Sequence, residues 1–476
     1  METVIGLEVH IELATKSKIF CGCSTAFGAA PNTHVCPICS GMPGTLPVLN
    51  LSVVEFAMRT GITLNCTINK FNKFDRKNYF YPDLPKAYQI SQLYLPICHN
   101  GYITIMEDSF PKKIGIHEIH MEEDAGKLIH DSQNDRTLID YNRCGVPLIE
   151  IVSEPDFRSA NEVIAYLEKL REILLYLGVS DCKLQEGSMR ADINLSVHPK
   201  GSAKLGTRTE MKNMNSFKAI HRAITAESHR QIKLIESGGK VTQETRRWDD
   251  DKGESFSMRS KENAQDYRYF PEPDLLPIKI DDKWFLDIKN TMPELAEAKR
   301  LRFINEMKIT EYDAAILTTE KNLSNLFEET SAVCKNPKET ANIITGEIMR
   351  LLNDTGTSPE NLKIDSIKLA SLINLIQDGV INRNTGKSVL RELFENNIDL
   401  LLYIKEHGLA MIQDESLIES IIEKVLAVNK QSVDDYLNGK EKAFVFLVGQ
   451  TMKNLKGKGN PKTVNRILKE KLKTIR

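Results

Sequence analysis

The sequence predicts an α+β protein in which a section rich in strands precedes two helical sections. Before residue 215, polar and apolar residues alternate with a period of two in several segments. From about residue 294, apolar residues recur at helical spacing between polar connections. A proline-rich stretch at residues 270–277 lies near the change of pattern. We therefore expect domains at residues 1–292, 293–408 and 409–476.

The first predicted strand, residues 4–13, carries three polar side chains on one face. Successive side chains of a strand point to opposite faces. The aliphatic residues between 5 and 13 can therefore enter a core, while Glu8, His10 and Glu12 share the other face. These are three possible metal ligands in one row. A solvated edge strand shows the same alternation, so this strand alone leaves both interpretations open.

Further predicted strands repeat the pattern at residues 116–123, 147–152, 192–197 and 207–213. These strands, and the turn after residues 116–123, contain seven acidic residues: Glu118, Glu122, Glu123, Asp124, Glu150, Asp192 and Glu210. Repulsion among so many carboxylates opposes folding unless cations offset it. Mg²⁺ takes oxygen ligands and bridges to phosphates. The repetition favours a concave, acid-lined sheet that handles a metal-bound phosphate.

Two helices have clear boundaries in the sequence. Ser159 and Glu162 form a candidate capping box, an apolar stripe follows, and Gly178 ends the helix. Near the C-terminus, Asn460 and Pro461 are a plausible cap and first position for a last helix. The predicted apolar face of this last helix consists of Val464, Ile467, Leu468 and Leu472.

The composition of the 476 residues is typical of a globular protein, with 41% hydrophobic and 27% charged residues. No apolar run is long enough for a membrane span. The first strand begins almost at Met1, so we expect no signal or transit peptide. Nine cysteines without a secretory context indicate a reducing compartment. The net charge of −2 says little, because the charges are segregated along the chain.

Four cysteines form the second strong motif, since Cys21 and Cys23 are followed by Cys36 and Cys39. Two close pairs, separated by twelve residues with turn-forming Gly and Pro nearby, can meet as a tetrahedral thiolate site. Four isolated buried cysteines are the alternative. Because four sulfur ligands leave no open position for water, we expect a structural zinc ion.

The C-terminal 37 residues are strongly basic and contain only two acidic residues, Glu441 and Glu470. The basic residues are Lys440, Lys442, Lys453, Lys456, Lys458, Lys462, Arg466, Lys469, Lys471, Lys473 and Arg476. Such a patch is typical of a surface that meets a phosphate backbone, although a solvated helix face has a similar composition.

Several long motifs resemble the B subunits of the tRNA-dependent glutamyl/aspartyl amidotransferases, the GatB family. They include residues 5–10 (IGLEVH), 73–83 (KFDRKNYFYPD), 85–92 (PKAYQISQ) and 120–127 (HMEEDAGK). Others are residues 147–156 (PLIEIVSEPD), 187–190 (GSMR), 210–217 (EMKNMNSF) and 266–274 (DYRYFPEPD). The resemblance runs along essentially the whole chain.

This resemblance implies a ligase that corrects mischarged tRNA. In the family, ATP phosphorylates the side-chain carboxylate of Glu-tRNA(Gln) or Asp-tRNA(Asn), and ammonia displaces the phosphate. An amidase (glutaminase), the A subunit, supplies ammonia from glutamine, and a small C subunit joins the two. The family's catalytic domain is a cradle whose antiparallel sheet is similar to that of glutamine synthetase. A helical domain and a tail domain that approaches the tRNA follow. We expect such an assembly in the bacterial cytoplasm, with ATP, Mg²⁺ and structural Zn²⁺.

The resemblance also implies roles for individual residues. The expected Mg²⁺ ligands are His10, Glu123 and Glu150. The expected further metal ligands, or the base that accepts a proton from ammonia, are Glu8, Asp192 and Glu210. The expected partners of the phosphates or the acyl carboxylate are Lys77, Lys86 and Arg190, although each could instead form an ordinary surface ion pair.

Two other functions stay open at this point. One is an RNA-binding scaffold, in which the acidic strands are solvated and the zinc site and the basic tail serve RNA binding. The other is a metal-dependent hydrolase built on Glu8, His10 and Glu12. The chain contains no Ser-Ser-Lys amidase stretch and no cysteine placed as a glutaminase nucleophile, so we do not expect it to use glutamine alone.

Overall fold

A computed structural model describes residues 1–107, 110–131, 133–260, 266–412, 414–455 and 458–475. The chain divides into two compact units, Met1–Leu295 and Ala296–Arg476. Among the described helices, none combines the length and apolar character that crossing a membrane requires.

The first unit is mainly β-structure. Its strands are β1 (Glu2–Glu12), β2 (Thr67–Ile68), β3 (Phe71–Asn72), β4 (Asp75–Asn78), β5 (Tyr88–Ser91), β6 (Cys98–Glu107), β7 (Phe110–Glu123), β8 (Lys127–Asp131), β9 (Arg136–Asp140), β10 (Pro147–Ser153), β11 (Met189–His198), β12 (Thr209–Lys212), β13 (Glu244–Asp249), β14 (Glu254–Ser260), β15 (Phe270–Pro271) and β16 (Ile278–Lys279). Every strand predicted around the acidic residues is present.

Nine of the described strands form the main sheet, in the order β14-β13-β12-β11-β1-β10-β7-β6-β2. All neighbours in it are antiparallel except β12 and β13, which are parallel, so the expectation of an antiparallel sheet holds with one exception. The smaller sheets have the orders β15-β4-β5, β16-β3 and β8-β9. Strand β1 lies at the centre of the main sheet and has β11 and β10 as neighbours.

Helices cover the apolar face of the main sheet. The helices of this unit are α1 (Leu51–Thr63), α2 (Ala160–Leu177), α3 (Phe217–Glu236) and α4 (Asp282–Asn290). Helices α1, α2 and α3 pack against β6, β7 and β11. The aliphatic residues of β1 are buried in the core beneath them, as the alternation predicts: Ile5, Leu7, Val9 and Ile11. The polar face of β1 is therefore turned away from the helices.

The predicted limits of α2 are confirmed. The Ser159 side chain accepts a hydrogen bond from the Glu162 backbone N–H at the start of the helix. Gly178 ends it with φ +70°, a left-handed conformation that favours glycine. The sequence therefore specifies both ends of α2 locally.

The second unit is helical. Its helices are α5 (Ala296–Asn305), α6 (Glu311–Leu317), α7 (Lys321–Cys334), α8 (Pro337–Asn342), α9 (Met349–Thr355), α10 (Ser366–Gln377), α11 (Arg383–Asn396), α12 (Leu400–Glu406), α13 (Glu415–Val428), α14 (Lys430–Leu437), α15 (Glu441–Asn454) and α16 (Pro461–Ile475). A π-helical turn, Ile343–Ile348, joins α8 to α9, and a short 3₁₀ turn spans Pro359–Asn361.

Two hydrophobic clusters lie within this unit. One runs from Phe303 to Ile404, and the other runs from Ile418 to Leu472. Helix α16 begins at Pro461 as predicted, and its four predicted apolar residues are buried in the second cluster.

Candidate active site and metal sites

The register of the main sheet brings three polar residues from distant parts of the chain into one row. His10 of β1 lies opposite Glu150 of β10, and Glu150 lies opposite His120 of β7. Directly opposed residues in neighbouring strands project to the same face. Their side chains meet there, because Glu150 Oε2 lies 3.4 Å from His10 Nε2 and 3.0 Å from His120 Nε2.

Glu122 completes a group of possible metal ligands with His10 and Glu150. One ligand atom from each residue lies within 4.8 Å of the others. His10 Nε2 is also 3.6 Å from Glu122 Oε1, and the Glu122 side chain is only 4% exposed. Two carboxylates and one imidazole suit a hard divalent cation such as Mg²⁺, which prefers oxygen ligands.

The electrostatics of this group reflect crowded charges. Burial, followed by the charge on Glu150, raises the pKa of Glu122. Burial also opposes ionisation of Glu150, but His120 and His10 outweigh it and hold the pKa of Glu150 well below its usual range. Burial lowers the pKa of His120, but the charge on Glu150 and the hydrogen bond to Glu118 raise it to about 10. A cation beside Glu122 and Glu150 would offset the repulsion between them.

A second acidic group lies beside the first. Glu8, Asp192 and Glu210 also place ligand atoms within 4.8 Å of one another. Glu8 lies opposite Asp192 across β1 and β11, and Asn194 donates a hydrogen bond of 2.8 Å to Glu8. Lys212 pairs with Asp192 and, at 2.9 Å, with Glu210. The ammonium of Lys212 thus balances part of the negative charge of this group.

Glu123 does not join the group with His10, although we expected it to be a Mg²⁺ ligand. Adjacent residues of a strand point to opposite faces, so Glu123 faces away from Glu122. It forms a buried ion pair with Lys86 and accepts a 2.9 Å hydrogen bond from the Ile90 backbone N–H. The group of possible ligands around His10 in the described residues thus contains Glu122 and not Glu123.

Lys86 and Glu123 line a cavity of about 220 Å³ together with residues of the cysteine segment. Burial lowers the pKa of Lys86, but the charge on Glu123 outweighs burial and raises it. Lys86 is therefore engaged inside the protein by Glu123, and does not contact the two acidic groups.

The other two expected phosphate partners lie nearer the first acidic group. The Lys77 ammonium is 5.0 Å from the centre of the Tyr267 ring, and its charge acts on Glu122. Arg190 lies opposite His10 in the sheet and pairs with Asp124 at 3.2 Å. The buried Nε of Arg190 has no hydrogen-bond partner in the part of the chain that the structure describes. Both cations are thus placed beside the group that contains His10.

The four cysteines Cys21, Cys23, Cys36 and Cys39 meet, as the motif predicts. Their sulfur atoms all lie within 4.8 Å of one another. Hydrogen bonding from the Cys21 thiol lowers the pKa of Cys39 to about 4. Four sulfur donors around one point fit a tetrahedral zinc ion.

The geometry does not assemble the hydrolase triad of Glu8, His10 and Glu12. Glu12 instead forms an ion pair of 2.6 Å with Arg143, which also binds Asp124 at 2.5 Å. Neither of the two acidic ligand groups among the described residues includes Glu12. Its position on the polar face of β1 was predicted, but its partner was not.

Acidic side chains neutralise part of the basic tail. Arg466 pairs with Glu415, Lys471 lies 2.7 Å from Glu423, and Lys440 lies 2.8 Å from Asp435. Lys456 and Arg476 lie outside the described residues. The tail thus partly resembles a solvated helix surface with intramolecular ion pairs.

Sequence reasoning left several site residues out of the expected set. His120 and Glu122 could have been included, since both share the face of β7 that carries Glu118. Lys18 and Arg143 carry no such local signal. Their partners come from distant segments and become visible only in the folded chain.

Comparison with known proteins agrees with these features. The model of the GatB/GatE catalytic domain matches residues 3–286, and that of the GatB domain matches residues 325–472. The B subunit of an aspartyl/glutamyl-tRNA(Asn/Gln) amidotransferase from Lachnoclostridium phytofermentans is 64% identical over 99% of this chain and 98% of its own. A protein of the same name from Caldicellulosiruptor bescii is 58% identical over 100% of this chain and 99% of its own. Another, from Agathobacter rectalis, is also 58% identical and covers 99% of both chains. The chain therefore belongs to the GatB family and is the B subunit of a tRNA-dependent amidotransferase.

Proposed function

We propose that this chain uses ATP to phosphorylate the side-chain carboxylate of Glu-tRNA(Gln), Asp-tRNA(Asn) or both, and then amidates it with ammonia. One observation carries the proposal: two groups of metal-ligand atoms lie side by side on the polar face of one sheet. Glu8 and His10 are two residues apart on β1, a separation of roughly 7 Å along a strand. That spacing suits a phosphate held between two cations.

The residues present fit divalent cations, and we assign His10, Glu122 and Glu150 to one Mg²⁺. Glu8, Asp192 and Glu210 would hold a second cation or accept the proton from ammonia. Bound Mg²⁺ would offset negative charge on the transferring phosphoryl group. Lys77 and Arg190 lie beside the first group, where they would bind phosphate oxygens or the substrate carboxylate.

The proposed chemistry has two steps. A carboxylate oxygen of the substrate attacks the γ-phosphorus of ATP, the bond to the β-phosphate oxygen breaks, and ADP leaves. The acyl phosphate is activated because phosphate is a much better leaving group than oxide. Ammonia then attacks the acyl carbon, the bond to the phosphate oxygen breaks, and a carboxylate takes up the proton released from nitrogen. The products are the amide, phosphate and ADP.

We further propose that the chain works with an amidase partner, the A subunit, which releases ammonia from glutamine, and with a small C subunit. Relatives named as the B subunit of an amidotransferase support this assembly. A cradle similar to glutamine synthetase is part of the proposal, supported by the mainly antiparallel, acid-lined sheet. The proposal also includes separate domains at residues 293–408 and 409–476, a tail that contacts tRNA, a structural zinc ion and a location in the bacterial cytoplasm.

The test is amide formation on Glu-tRNA(Gln) and on Asp-tRNA(Asn), with ATP and Mg²⁺, by the chain with and without the amidase and the small C subunit. We expect the complete complex to use either ammonium chloride or glutamine, with ADP formed in step with amide. Omitting the amidase should abolish the use of glutamine but not that of ammonium.

A complex that binds the tRNA but turns over neither ATP nor the acyl group would overturn the proposal. That result would instead support a scaffold that binds RNA through its basic tail. Hydrolysis of the acyl bond without ammonia would support the metal-dependent hydrolase.

A further inference from the structure

Lys18 is a fully buried lysine beside the four-cysteine site. Its exposed fraction is 0%, although lysine is rarely buried without a partner. The backbone N–H of Lys18 donates to the Cys23 carbonyl at 3.0 Å, and the next residue, Ile19, donates to the Gly145 carbonyl at 3.0 Å. The backbone is thus held between the cysteine segment and the segment that precedes β10.

The ammonium of Lys18 has three acceptors. Its Nζ lies 2.7 Å from the His34 carbonyl oxygen, 3.3 Å from the Tyr141 carbonyl oxygen and 3.6 Å from Cys39 Sγ. Among the described residues it forms no ion pair with a carboxylate. The sulfur of Cys39 is therefore the one contact that can carry the compensating negative charge.

This arrangement makes physical sense if the cysteines are thiolates. A buried ammonium without a counter-charge is strongly unfavourable. Zn²⁺ with four thiolates carries a net charge of −2, and one ammonium in contact reduces the local charge to −1. The Cys36 backbone N–H also donates to Cys39 Sγ at 3.2 Å. Cys39 thus receives two hydrogen-bond donors from outside the sulfur cluster.

We propose that Lys18 positions Cys39 and balances the charge of the metal–thiolate centre as an outer partner of the bound zinc. The proposal rests on the structural zinc proposed above. Because the same ammonium donates to the Tyr141 carbonyl, Lys18 also connects the cysteine segment to the loop between β9 and β10. Lys18, Cys39, Lys86 and Glu123 line one cavity, so metal binding would also fix part of its wall.

The experiment measures zinc affinity by chelator competition in the full-length chain within its complex, for the wild type and the variants K18M, K18R and K16M. Lys16 is exposed and close in sequence, so K16M is the matched control. We expect K18M to bind zinc 10- to 100-fold more weakly, the range typical for loss of an outer partner. The zinc affinity of K16M should equal that of the wild type, and the zinc affinity of K18R should lie between those of K16M and K18M.

Cobalt substitution gives a second readout that does not depend on activity. We expect the sulfur-to-cobalt charge-transfer band to shift in K18M and to stay in place in K16M. If K18M does not fold, K18Q and K18R provide the comparison, because both keep donors but only K18R keeps the charge. K18Q should then bind zinc at least about tenfold more weakly than K18R.

The outcomes separate the two proposals. A wild-type chain that takes up no zinc would overturn the zinc site itself. Normal zinc uptake by the wild type, with equal affinity and an equal cobalt spectrum in K18M, would overturn only the role of Lys18. If K18M does not fold, equal zinc affinities of K18Q and K18R would overturn the proposed role of Lys18.

Discussion

His10 and Glu150 lie opposite each other on neighbouring antiparallel strands, and their side chains meet with Nε2 and Oε2 3.4 Å apart. They are 140 positions apart in the sequence, so only the sheet brings them together. Glu150 bridges His10 to His120, and Glu122 adds a second carboxylate. This row forms the centre of the proposed phosphoryl-transfer site.

Replacing His10 with alanine should lower ATP-dependent amide formation by about 100-fold or more, the size of effect seen when a group that stabilises developing charge is lost. The readouts are ADP release and amide formation on Glu-tRNA(Gln) with ammonium, alongside tRNA binding. His117 is the matched control, because its side chain is 61% exposed and pairs with Glu154. H117A should keep wild-type activity. Full activity in a folded H10A variant would contradict the assignment of the site.

Glu122 and Glu123 should respond differently to the same substitution. E122Q removes a proposed metal ligand, so we expect half-maximal activity to require about 10- to 100-fold more Mg²⁺. E123Q removes the partner of buried Lys86, so we expect the free energy of unfolding to fall by about 3 kcal/mol with the Mg²⁺ dependence unchanged. Magnesium titrations and urea unfolding measure the two effects. The reverse pattern would show that Glu123 is the ligand.

Replacing Cys36 with serine should remove the zinc ion. We expect metal analysis to fall from about one zinc per chain towards zero, since a structural site needs all four ligands. The melting temperature should fall with it, because zinc binding contributes to folding. Cys66 is free and lies outside the cluster, so C66S serves as the control and should keep its zinc. Undiminished zinc in C36S would rule out the four-cysteine site.

Glu227 should make stability depend on pH below about 4.5. Burial opposes its ionisation, but hydrogen bonds from Arg230 and Gln231 outweigh burial and hold its pKa below the ordinary 4.5. A lowered pKa means that its stabilising contribution is present above pH 4.5 and is lost as the pH falls through the folded-state value. E227Q should be less stable by about 3 kcal/mol at pH 7, and the difference should shrink in acid.

Urea unfolding at a series of pH values measures this difference. Glu236 lies exposed on the same helix, so E236Q is the control and should follow the wild-type curve. A constant gap between the wild type and E227Q from pH 7 down to pH 3 would refute the linkage.

Local patterns correctly predicted the strands that carry the acidic residues, the two ends of α2 and the start of α16. The two-residue period of β1 placed its aliphatic residues in the core, and Ser159 and Gly178 marked the ends of α2. These features depend on residues close in sequence, which is why local rules suffice. The four cysteines were also predicted to meet, because close pairs with turn residues between them constrain the backbone strongly.

The sequence by itself determined the family, the strand-then-helix order and the residue types that could bind metal. The tertiary structure alone decided which of these residues meet. It placed Glu122 beside His10 and turned Glu123 towards Lys86, and it paired Glu12 with Arg143. It also buried Lys18 against Cys39. The physical reason is that ligand geometry and the balance of charge depend on contacts between distant segments. Sheet register and packing determine these contacts, and the local sequence does not encode them.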